Sequence, residues 1–414
     1  MSLKIPKIAF LDDYDVSNKK VLVRVDFNSP IDPKTGEILD DNRIRAHTRT
    51  LKELLDKNNA VVVISHQGRP GGSDFVSLEV HARKISEIMN MDVKFVDDVI
   101  GPTAREKIKE LKNGEILVLE NTRIVSEEII EATPEKQAKT FFVRKLAPLF
   151  DIFVLDAFSA AHRSQPSLVG FPMVLPSVGG RVLEGEVKAL TRIFKPDEKP
   201  TVFVLGGAKV EDSLKIIETL VKNKVADRIL TTGLLAELFL LAKGINIGKE
   251  NMQFLMERGL VSLIPRARRI LLSGAPIETP YDFAVLKNGK RVEFPATKVS
   301  GKIMDIGSET INMYHEMMKD AKVVVLRGPA GVIEDPRFRK GTFELAKRAI
   351  ESGAFTIFGG GHFIAVANEL SDDLKSKIGH ISLAGGALLL FLSGETLPAL
   401  EALEISAKKF IWGE

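Results

Sequence analysis

The stretch TVFVLGGAK, residues 201–209, carries the pattern that decides the fold. A short apolar run, rich in β-branched residues, leads into a glycine turn, and a helical pattern follows over 213–222. A run that is apolar on both faces is typical of a strand in a parallel sheet that helices cover on both sides. The order strand, turn and helix therefore predicts a right-handed crossover unit of an α/β domain.

The same pattern recurs along the 414 residues, a length that exceeds one ordinary core. We expect two doubly wound parallel-sheet (Rossmann-like) α/β domains joined by a hinge helix. The predicted strands are Val21–Val25, Ala60–Ile64, Val93–Val96, Ile116–Leu119, Ile152–Leu155, Thr201–Leu205, Arg228–Thr232, Arg269–Leu272, Lys322–Leu326 and Phe355–Phe358. The pair Asn288–Gly289 predicts a hairpin that adds antiparallel strands to the second sheet.

Breaks in the pattern predict the domain boundaries. We expect an N-terminal domain over 1–178, a hinge helix over 179–199, a C-terminal domain over 200–394 and a C-terminal segment over 395–414. Two glycines, Gly179 and Gly180, precede the helical pattern of the hinge, and prolines end it. The C-terminal segment is amphipathic over Ala399–Phe410 and needs an apolar face to cover, so we expect it to pack back on the N-terminal domain.

Composition excludes several classes of function. The chain has no cysteine, so disulfides, thiolate nucleophiles and cysteine-ligated metal sites are excluded. The net charge of +3 is too small to indicate nucleic-acid binding. No apolar run reaches the roughly 18 to 20 residues that span a bilayer, and the first residues lack an apolar signal core, so we expect a cytoplasmic protein without a membrane partner. The scarcity of glutamine and the abundance of Lys, Glu and Arg hint at a thermophile.

Basic side chains follow the strands of the first half, where ligands of open α/β sheets bind. These residues are Arg43, Arg69, Arg123 and Arg163, with His66 and His162. The planar fork of arginine matches phosphate and carboxylate oxygens. Any one of these arginines could be a solvated or structural residue, but together they predict a basic pocket for a small, multiply negative ligand. Asp26 and Asn28 could bind hydroxyls of that ligand, or Asp26 could be the structural partner of an arginine.

Two glycine turns in the second half each precede a helical pattern. Gly206, Gly207, Ala208 and Lys209 follow one strand, and Gly359–Gly361 with His362 follow another. Free N–H groups and the helix dipole favour phosphate at such helix starts. Neither turn ends in the Gly-Lys-Ser/Thr of a P-loop, and neither is a dinucleotide fingerprint. One such turn is often only tight packing, whereas two in one domain predict a nucleotide-phosphate site.

Several motifs, in order along nearly the whole chain, resemble those of the phosphoglycerate kinase family, in the style of its archaeal members. They are RVDFNSP at 24–30, SHQGRP at 65–70, LENTR at 119–123, DAFSAAHR at 156–163, LGGAKV at 205–210, RGPAGV at 327–332 and the triple glycine at 359–361. The resemblance implies a glycolytic enzyme that reversibly transfers a phosphoryl group from 1,3-bisphosphoglycerate to MgADP, giving 3-phosphoglycerate and MgATP. It also implies direct in-line transfer with domain closure.

The resemblance further assigns site residues. It places the phosphoglycerate on Asp26, Asn28, Arg43, His66, Arg69, Arg123 and Arg163, and the nucleotide on Gly206, Gly207, Ala208, Lys209, Glu334, Gly360, Gly361, His362 and Phe363. Glu334 is expected on the ribose hydroxyls, and the catalytic pair is expected to be Arg43 and Lys209, which contact the transferring phosphoryl group. Alternatively, Arg43 pairs with Asp40 or Asp41. Mg²⁺ is expected to bind with ADP or ATP, through protein ligands that the sequence does not identify.

The nucleotide half departs from the family pattern at several positions. Ser213 stands where the family usually has a lysine, Arg327 replaces an asparagine, His362–Phe363 replace Asp-Thr, and Leu383–Ala384 replace Thr-Gly. These changes keep open a catalytically inactive nucleotide-binding or scaffold protein on the same fold. An NAD-dependent dehydrogenase is a further alternative, although the chain lacks a GxGxxG unit followed by an acidic residue. The partners are expected to be small-molecule substrates, in a monomer or homodimer.

Overall fold

The computed structural model, which describes residues 5–413, contains two six-stranded sheets in which every pair of neighbouring strands is parallel. The chain divides into an N-terminal unit, which runs to Val187 and resumes at Thr396, and a C-terminal unit over Lys188–Glu395. The fold is therefore the doubly wound α/β class predicted from the alternation of strand and helix patterns.

The first sheet has the order β3-β4-β2-β1-β5-β6. Its strands are β1 (Lys20–Arg24), β2 (Ala60–Ile64), β3 (Lys94–Val96), β4 (Ile116–Leu119), β5 (Ile152–Leu155) and β6 (Ser177–Gly179). The residues of β2, β4 and β5 are all buried, as expected for a sheet covered on both faces. The chain leaves β1 toward β2 and later reaches β5 on its other side, so the crevice for ligands opens at the carboxyl ends of β1 and β5.

The second sheet has the order β15-β14-β13-β7-β8-β9. Its strands are β7 (Thr201–Leu205), β8 (Arg228–Thr231), β9 (Ile277–Glu278), β13 (Val323–Arg327), β14 (Phe355–Gly359) and β15 (His380–Ser382). Strands β7 and β13 are neighbours whose onward connections leave in opposite directions. The two turns that follow them, beginning at Gly206 and Gly328, therefore lie at the switch point of this sheet.

The helices of both units follow the predicted crossovers. They are α1 (Asn42–Asp56), α2 (Glu79–Met89), α3 (Pro102–Glu110), α4 (Pro134–Gln137), α5 (Phe141–Leu146), α6 (Arg181–Arg192), α7 (Val210–Lys222), α8 (Gly233–Ala242), α9 (Lys249–Glu257), α10 (Ile264–Leu272), α11 (Ser308–Met318), α12 (Lys340–Glu351), α13 (Gly361–Glu369), α14 (Asp372–Ser376), α15 (Gly386–Leu392) and α16 (Pro398–Ser406). The boundary between the two units falls inside α6. Within residues 5–413, no helix combines the length and apolar character needed to cross a bilayer.

Two predictions about the second half are wrong. The predicted strand Arg269–Leu272 is the last part of α10, because Ala267 and Ile270 turn to the core at helical spacing. The hairpin at Asn288–Gly289 is present, but it does not extend the parallel sheet. Its strands β10 (Asp282–Lys287) and β11 (Lys290–Pro295) form a separate antiparallel sheet with β12 (Ile303–Ile306).

The C-terminal residues contact the N-terminal unit through defined hydrogen bonds. The Ala399 N–H donates to the Ala161 carbonyl at 3.1 Å, and the Ser406 hydroxyl donates to the Leu175 carbonyl at 3.0 Å. Helix α16 buries five of its residues, and a π-helical segment, Ala407–Trp412, follows it. The burial of these α16 residues provides the cover that the amphipathic pattern of the segment requires.

Candidate active site

The predicted acid-binding residues of the first half lie together at the carboxyl ends of the N-terminal strands. We call Asp26, Asn28, Arg43, His66, Arg69, Arg123 and Arg163 the acid-site cluster. Arg43 forms an ion pair with Asp26, and His66 Nδ1 lies 3.8 Å from Asp26 Oδ1. Arg163 Nη1 in turn lies 3.5 Å from His66 Nε2. The cluster therefore joins side chains from segments that are far apart in sequence.

Asp26 is the anionic centre of this cluster. Its carboxylate accepts hydrogen bonds from Arg43, from the Ser159 hydroxyl and from the Asn28 N–H, the last at 3.1 Å. Burial opposes its ionisation, but the Arg43 guanidinium and further neighbours, including the Ser159 hydroxyl and Arg24, together outweigh burial and hold the Asp26 pKa well below its usual value. Arg43 therefore pairs with Asp26, whereas Asp41 pairs with Arg45 at 2.8 Å, so the expected alternative of an Asp40 or Asp41 partner is wrong.

His66 is held as a neutral ring among cations. Burial lowers the pKa of His66 well below its usual value, and Arg24, Arg123 and Arg163 lower it further against the opposing effect of Asp26. Arg24 Nη2 lies 3.0 Å from His66 Nδ1, so that nitrogen is the acceptor and Nε2 carries the proton. Nε2–H and the Arg163 guanidinium thus face one another as donors, an arrangement that an anion between them would satisfy.

Arg123 shows how strongly positive the cluster is. Its guanidinium donates to the Gly68 carbonyl beside Arg69. Burial lowers the pKa of Arg123 to about 10, and repulsion by Arg163, Arg24 and Arg69 contributes, with Glu128 opposing it. Perturbed cations that converge in one place are typical of anion-binding sites. The Asn28 side chain also has a structural role, because its Oδ1 accepts a hydrogen bond from the Gly68 N–H at 2.8 Å.

Sequence reasoning did not identify Arg24 and His47, two buried residues that support the acid-site cluster. Arg24 is fully buried and donates to Ser167 Oγ at 3.0 Å as well as to the strand backbone. His47, on α1, accepts the Asp26 N–H at its Nε2 over 3.2 Å, and its Nδ1 lies 2.9 Å from Asp156. The sequence signal for Arg24 was the presence of an arginine in the otherwise apolar strand β1. No spacing rule connects His47 to Asp156.

The predicted nucleotide residues of the second half line two neighbouring cavities. The phosphate cavity, of about 510 Å³, lies at the carboxyl ends of β7, β13 and β14. Its lining includes Gly206, Gly207, Ala208, Lys209, Arg327, Gly360, Gly361 and His362. Two helices, α7 at Val210 and α13 at Gly361, begin beside this cavity. Free N–H groups at helix starts and a lysine together fit a chain of phosphates.

Glycine is required at two of these positions for different reasons. Gly360 has φ +90°, a conformation that side chains rarely adopt, and it immediately precedes α13. Gly207 has φ +80°, and a Cβ there would lie 3.1 Å from the Pro329 ring. The backbone can therefore make a tight turn and also leave the cavity open to a ligand.

The second cavity, of about 460 Å³, lies beside the first and shares Gly207, Ala208 and His362 with it. Glu334 lines this cavity, and its carboxylate lies 3.7 Å from His362 Nε2. Phe363 differs from the other predicted nucleotide residues. Its ring is buried against Phe358 and its N–H donates to the Gly360 carbonyl at 3.1 Å, so it supports the turn from the core.

The structure gives physical reasons for two of the departures. The Ser213 side chain is buried and bonds the Lys209 carbonyl at 3.2 Å, so it cannot reach into the cavity as a lysine would. Arg327 instead lines the phosphate cavity. Burial lowers the Arg327 pKa while Asp212 opposes that shift, and a guanidinium is a cation at neutral pH. Arg327 thus brings a positive charge to the phosphate cavity, whereas Ser213 brings none.

A metal cage is not part of the described structure. Within residues 5–413, no group of three or more His, Asp or Glu side chains is arranged to hold an ion. Mg²⁺ in nucleotide enzymes commonly uses one or two carboxylates and the substrate phosphates, which needs no such cage. Asp212 lies close enough to Arg327 to affect its pKa, and it lines a neighbouring cavity that shares Ala208 and Lys209 with the phosphate cavity.

Comparison with known proteins identifies the family. The family model for phosphoglycerate kinase matches residues 11–395. The chain belongs to the phosphoglycerate kinase family. The phosphoglycerate kinase of Sulfurisphaera tokodaii is 60% identical over 400 residues, 96% of each chain, and that of Saccharolobus solfataricus is 58% identical over 96% of this chain and 97% of its own length.

Solved structures of phosphoglycerate kinases share the fold. The crystal structure of the Pyrococcus horikoshii enzyme matches 97% of this chain and 100% of its own, with a TM-score of 0.88 and 43% identity. The Coxiella burnetii enzyme matches with a TM-score of 0.80 and 30% identity. The archaeal relatives confirm the resemblance drawn from the motifs. This phosphoglycerate kinase is a transferase that phosphorylates a carboxyl group, and the inactive scaffold is not supported.

Proposed function

We propose that the acid-site cluster of this phosphoglycerate kinase binds the phosphoglycerate and that the two cavities of the C-terminal unit bind the nucleotide. The reaction is the reversible transfer of a phosphoryl group from 1,3-bisphosphoglycerate to MgADP, which yields 3-phosphoglycerate and MgATP. We place it in the cytoplasm, where the metabolites of glycolysis are found.

The observation that carries this proposal is the excess of arginine around His66. Phosphoglycerate has a phosphate and a carboxylate, and both groups match the arginine fork. Arg123 and Arg163 repel one another across the cluster, and this repulsion adds to burial in lowering the Arg123 pKa. A trianionic acid removes that repulsion and takes the hydrogen bonds that Arg163 and His66 Nε2–H direct at each other. Asp26 and Asn28 are then available to bind the hydroxyl group of the acid.

On the nucleotide side, each group of the ligand has a matching element. The helix starts at Val210 and Gly361 supply N–H donors for the phosphates, and Arg327 adds a positive charge. The exposed Glu334 carboxylate, which lies beside His362, accepts hydrogen bonds from the ribose hydroxyls. Mg²⁺ carried by the nucleotide supplies charge neutralisation at the phosphates, with Asp212 as the available protein carboxylate.

The transfer needs no protein nucleophile. In the direction of ATP consumption, an oxygen of the ionised substrate carboxylate attacks the terminal phosphorus, and the bond to the ADP oxygen breaks in line with the attack. A general base is unnecessary because the carboxylate carries no proton. Arg43 and Lys209 contact the transferring phosphoryl group, where they stabilise its negative charge. Direct transfer requires the two ligands to meet, so the proposal includes closure about the hinge residues 179–199.

Separate titrations and a coupled assay test the proposal. The purified chain should bind 3-phosphoglycerate and ADP independently and should phosphorylate 3-phosphoglycerate with ATP in the presence of Mg²⁺. Nucleotide binding without turnover would contradict the reaction. Competition between 3-phosphoglycerate and ADP for a single site would contradict the assignment of the ligands to separate units.

A further inference from the structure

Helix α8 has one acidic residue, Glu237, in an otherwise apolar sequence, GLLAELFLLA. The Glu237 side chain lines the 460 Å³ cavity that also contains Glu334. It is 2% exposed, and its Oε2 atom has no hydrogen-bond partner among residues 5–413. A buried carboxyl group without a partner is costly to the fold. Its position in the wall of a ligand cavity indicates that the ligand supplies the partner.

The surroundings of Glu237 favour its protonated form. Burial raises the pKa of Glu237 to about 8, and the nearby Lys302 ammonium opposes the rise in part. The other titratable groups of the cavity wall are Arg258, Glu334 and His362. Lys302 and Arg258 both lie over the Phe254 ring, at 4.2 and 4.6 Å from its centroid. A protonated carboxyl group presents an O–H donor beside an acceptor oxygen.

We propose that Glu237 recognises the nucleobase of the bound nucleotide, donating its O–H to a ring nitrogen and accepting a hydrogen bond from an exocyclic amino group. Adenine presents this pair of groups side by side, an amino donor next to a ring-nitrogen acceptor. The inference rests on the proposed nucleotide site and extends it from the ribose and the phosphates to the base. Glu237 then determines base specificity and takes no part in phosphoryl transfer.

Equilibrium titration of two ligands tests the inference: ADP, and the 5′-diphosphate of purine riboside, which lacks the 6-amino group. Wild-type protein should bind ADP at least about fivefold more tightly than the purine riboside diphosphate, a ratio that corresponds to the free energy of roughly one hydrogen bond. Glu237→Leu should bind the two ligands with affinities within about twofold of each other. Glu237→Gln, whose amide also places a donor beside an acceptor, should keep the preference.

Glu334→Gln is the matched control in the same cavity. Because both ligands carry the same ribose, this variant should weaken both by the same factor and leave the preference unchanged. An unchanged preference in Glu237→Leu, or no preference in the wild-type protein, overturns the inference. If the wild-type protein binds neither diphosphate, the proposed nucleotide site itself is wrong.

A pH series gives an answer even if Glu237→Leu does not fold. Since the Glu237 pKa is about 8, the ADP affinity of the wild-type protein should decline between about pH 7 and 9 as the carboxyl group loses the proton that it donates. Dividing the wild-type affinity by the Glu237→Gln affinity at each pH removes changes that come from the titration of other groups. A ratio that stays constant with pH overturns the inference.

Discussion

His47 and Asp156 form a buried pair, with 2.9 Å between Nδ1 and Oδ2, that connects the acid-site cluster to helix α6. His47 Nε2 accepts the Asp26 N–H, so its Nδ1 carries the proton and donates to Asp156. The other oxygen of Asp156 accepts the N–H groups of Val182 and Leu183, in the first turn of α6. One carboxylate therefore holds both His47, which supports the acid-site cluster, and the helix that contains the boundary between the units.

Replacing Asp156 with asparagine should lower the free energy of unfolding by roughly 2–4 kcal/mol, because the amide cannot accept from both His47 and α6. It should also weaken 3-phosphoglycerate binding, since His47 positions the Asp26 backbone. Urea denaturation and ligand titration measure the two effects. Asp372→Asn, at a fully exposed position, is the control and should change stability by less than about 0.5 kcal/mol. Equal effects of the two variants would show that the buried pair contributes little.

Arg69→Ala should weaken 3-phosphoglycerate binding by roughly tenfold to a hundredfold, the value of a charged hydrogen bond, while ADP binding stays nearly unchanged. The reason is that Arg69 lies next to Gly68 and Arg123 in the acid-site cluster. Calorimetric titration of each ligand provides the measurement, with Arg49→Ala on the exposed side of α1 as the control. Loss of both affinities to the same degree would argue against separate half-sites.

Glu237 should make the protein less stable as the pH rises. The unfolded chain ionises this carboxyl group above about pH 4.5, whereas the folded chain keeps it protonated up to about pH 8. Between those values the folded state holds more protons, so stability falls with increasing pH. From pH 5 to 8, wild type should lose on the order of 2–4 kcal/mol relative to Glu237→Gln. Denaturation across pH measures this, with exposed Glu401→Gln as control, and parallel curves for wild type and Glu237→Gln would contradict it.

Deleting residues 399–414 should lower both the melting temperature and the activity. The deletion removes α16, whose Ala399 and Ser406 bond the N-terminal unit, and exposes the apolar surface beneath it. Thermal unfolding followed by circular dichroism measures the first effect. A truncation after Trp412, which leaves α16 in place, is the control. Unchanged stability of the longer deletion would show that the segment does not support the N-terminal unit.

The sequence predicted those parts of the fold whose cause is local. Runs such as Ala60–Ile64 are apolar on both faces, and the polar residues directly after them identified the acid-site cluster, because parallel strands end at one edge of a sheet. The strand prediction at Arg269–Leu272 failed because a short apolar run does not distinguish a strand from the end of a helix.

Features that depend on long-range packing could not be predicted from the sequence. The separate sheet of β10, β11 and β12 depends on a partner strand that short periodicity does not predict. The pairing of His47 with Asp156 joins residues 109 positions apart, and no motif connects them. Glu237 did leave a signal, a single acidic residue in an apolar helix, but its meaning depends on the cavity that it lines.

The central claim is that Arg43 and Lys209 act together on the transferring phosphoryl group. Lys209 is exposed at the start of α7 and lines the phosphate cavity, and Arg43 is half-buried beside Asp26. Contacts made chiefly in the transition state lower kcat with little change in ground-state binding. Alternatively, Lys209 is only a helix-terminal lysine and Arg43 only a structural partner of Asp26, and their loss then affects mainly stability.

The most direct test measures kcat and both dissociation constants for Arg43→Ala, Lys209→Ala and the double variant. The controls are Arg49→Ala and Lys215→Ala, which remove exposed charges from the same two helices, α1 and α7. Each single variant should lose about 10²–10⁴ in kcat with a much smaller change in either dissociation constant, and the double variant should lose much less than the product of the two. Single variants that keep more than about a tenth of the wild-type kcat would contradict the claim.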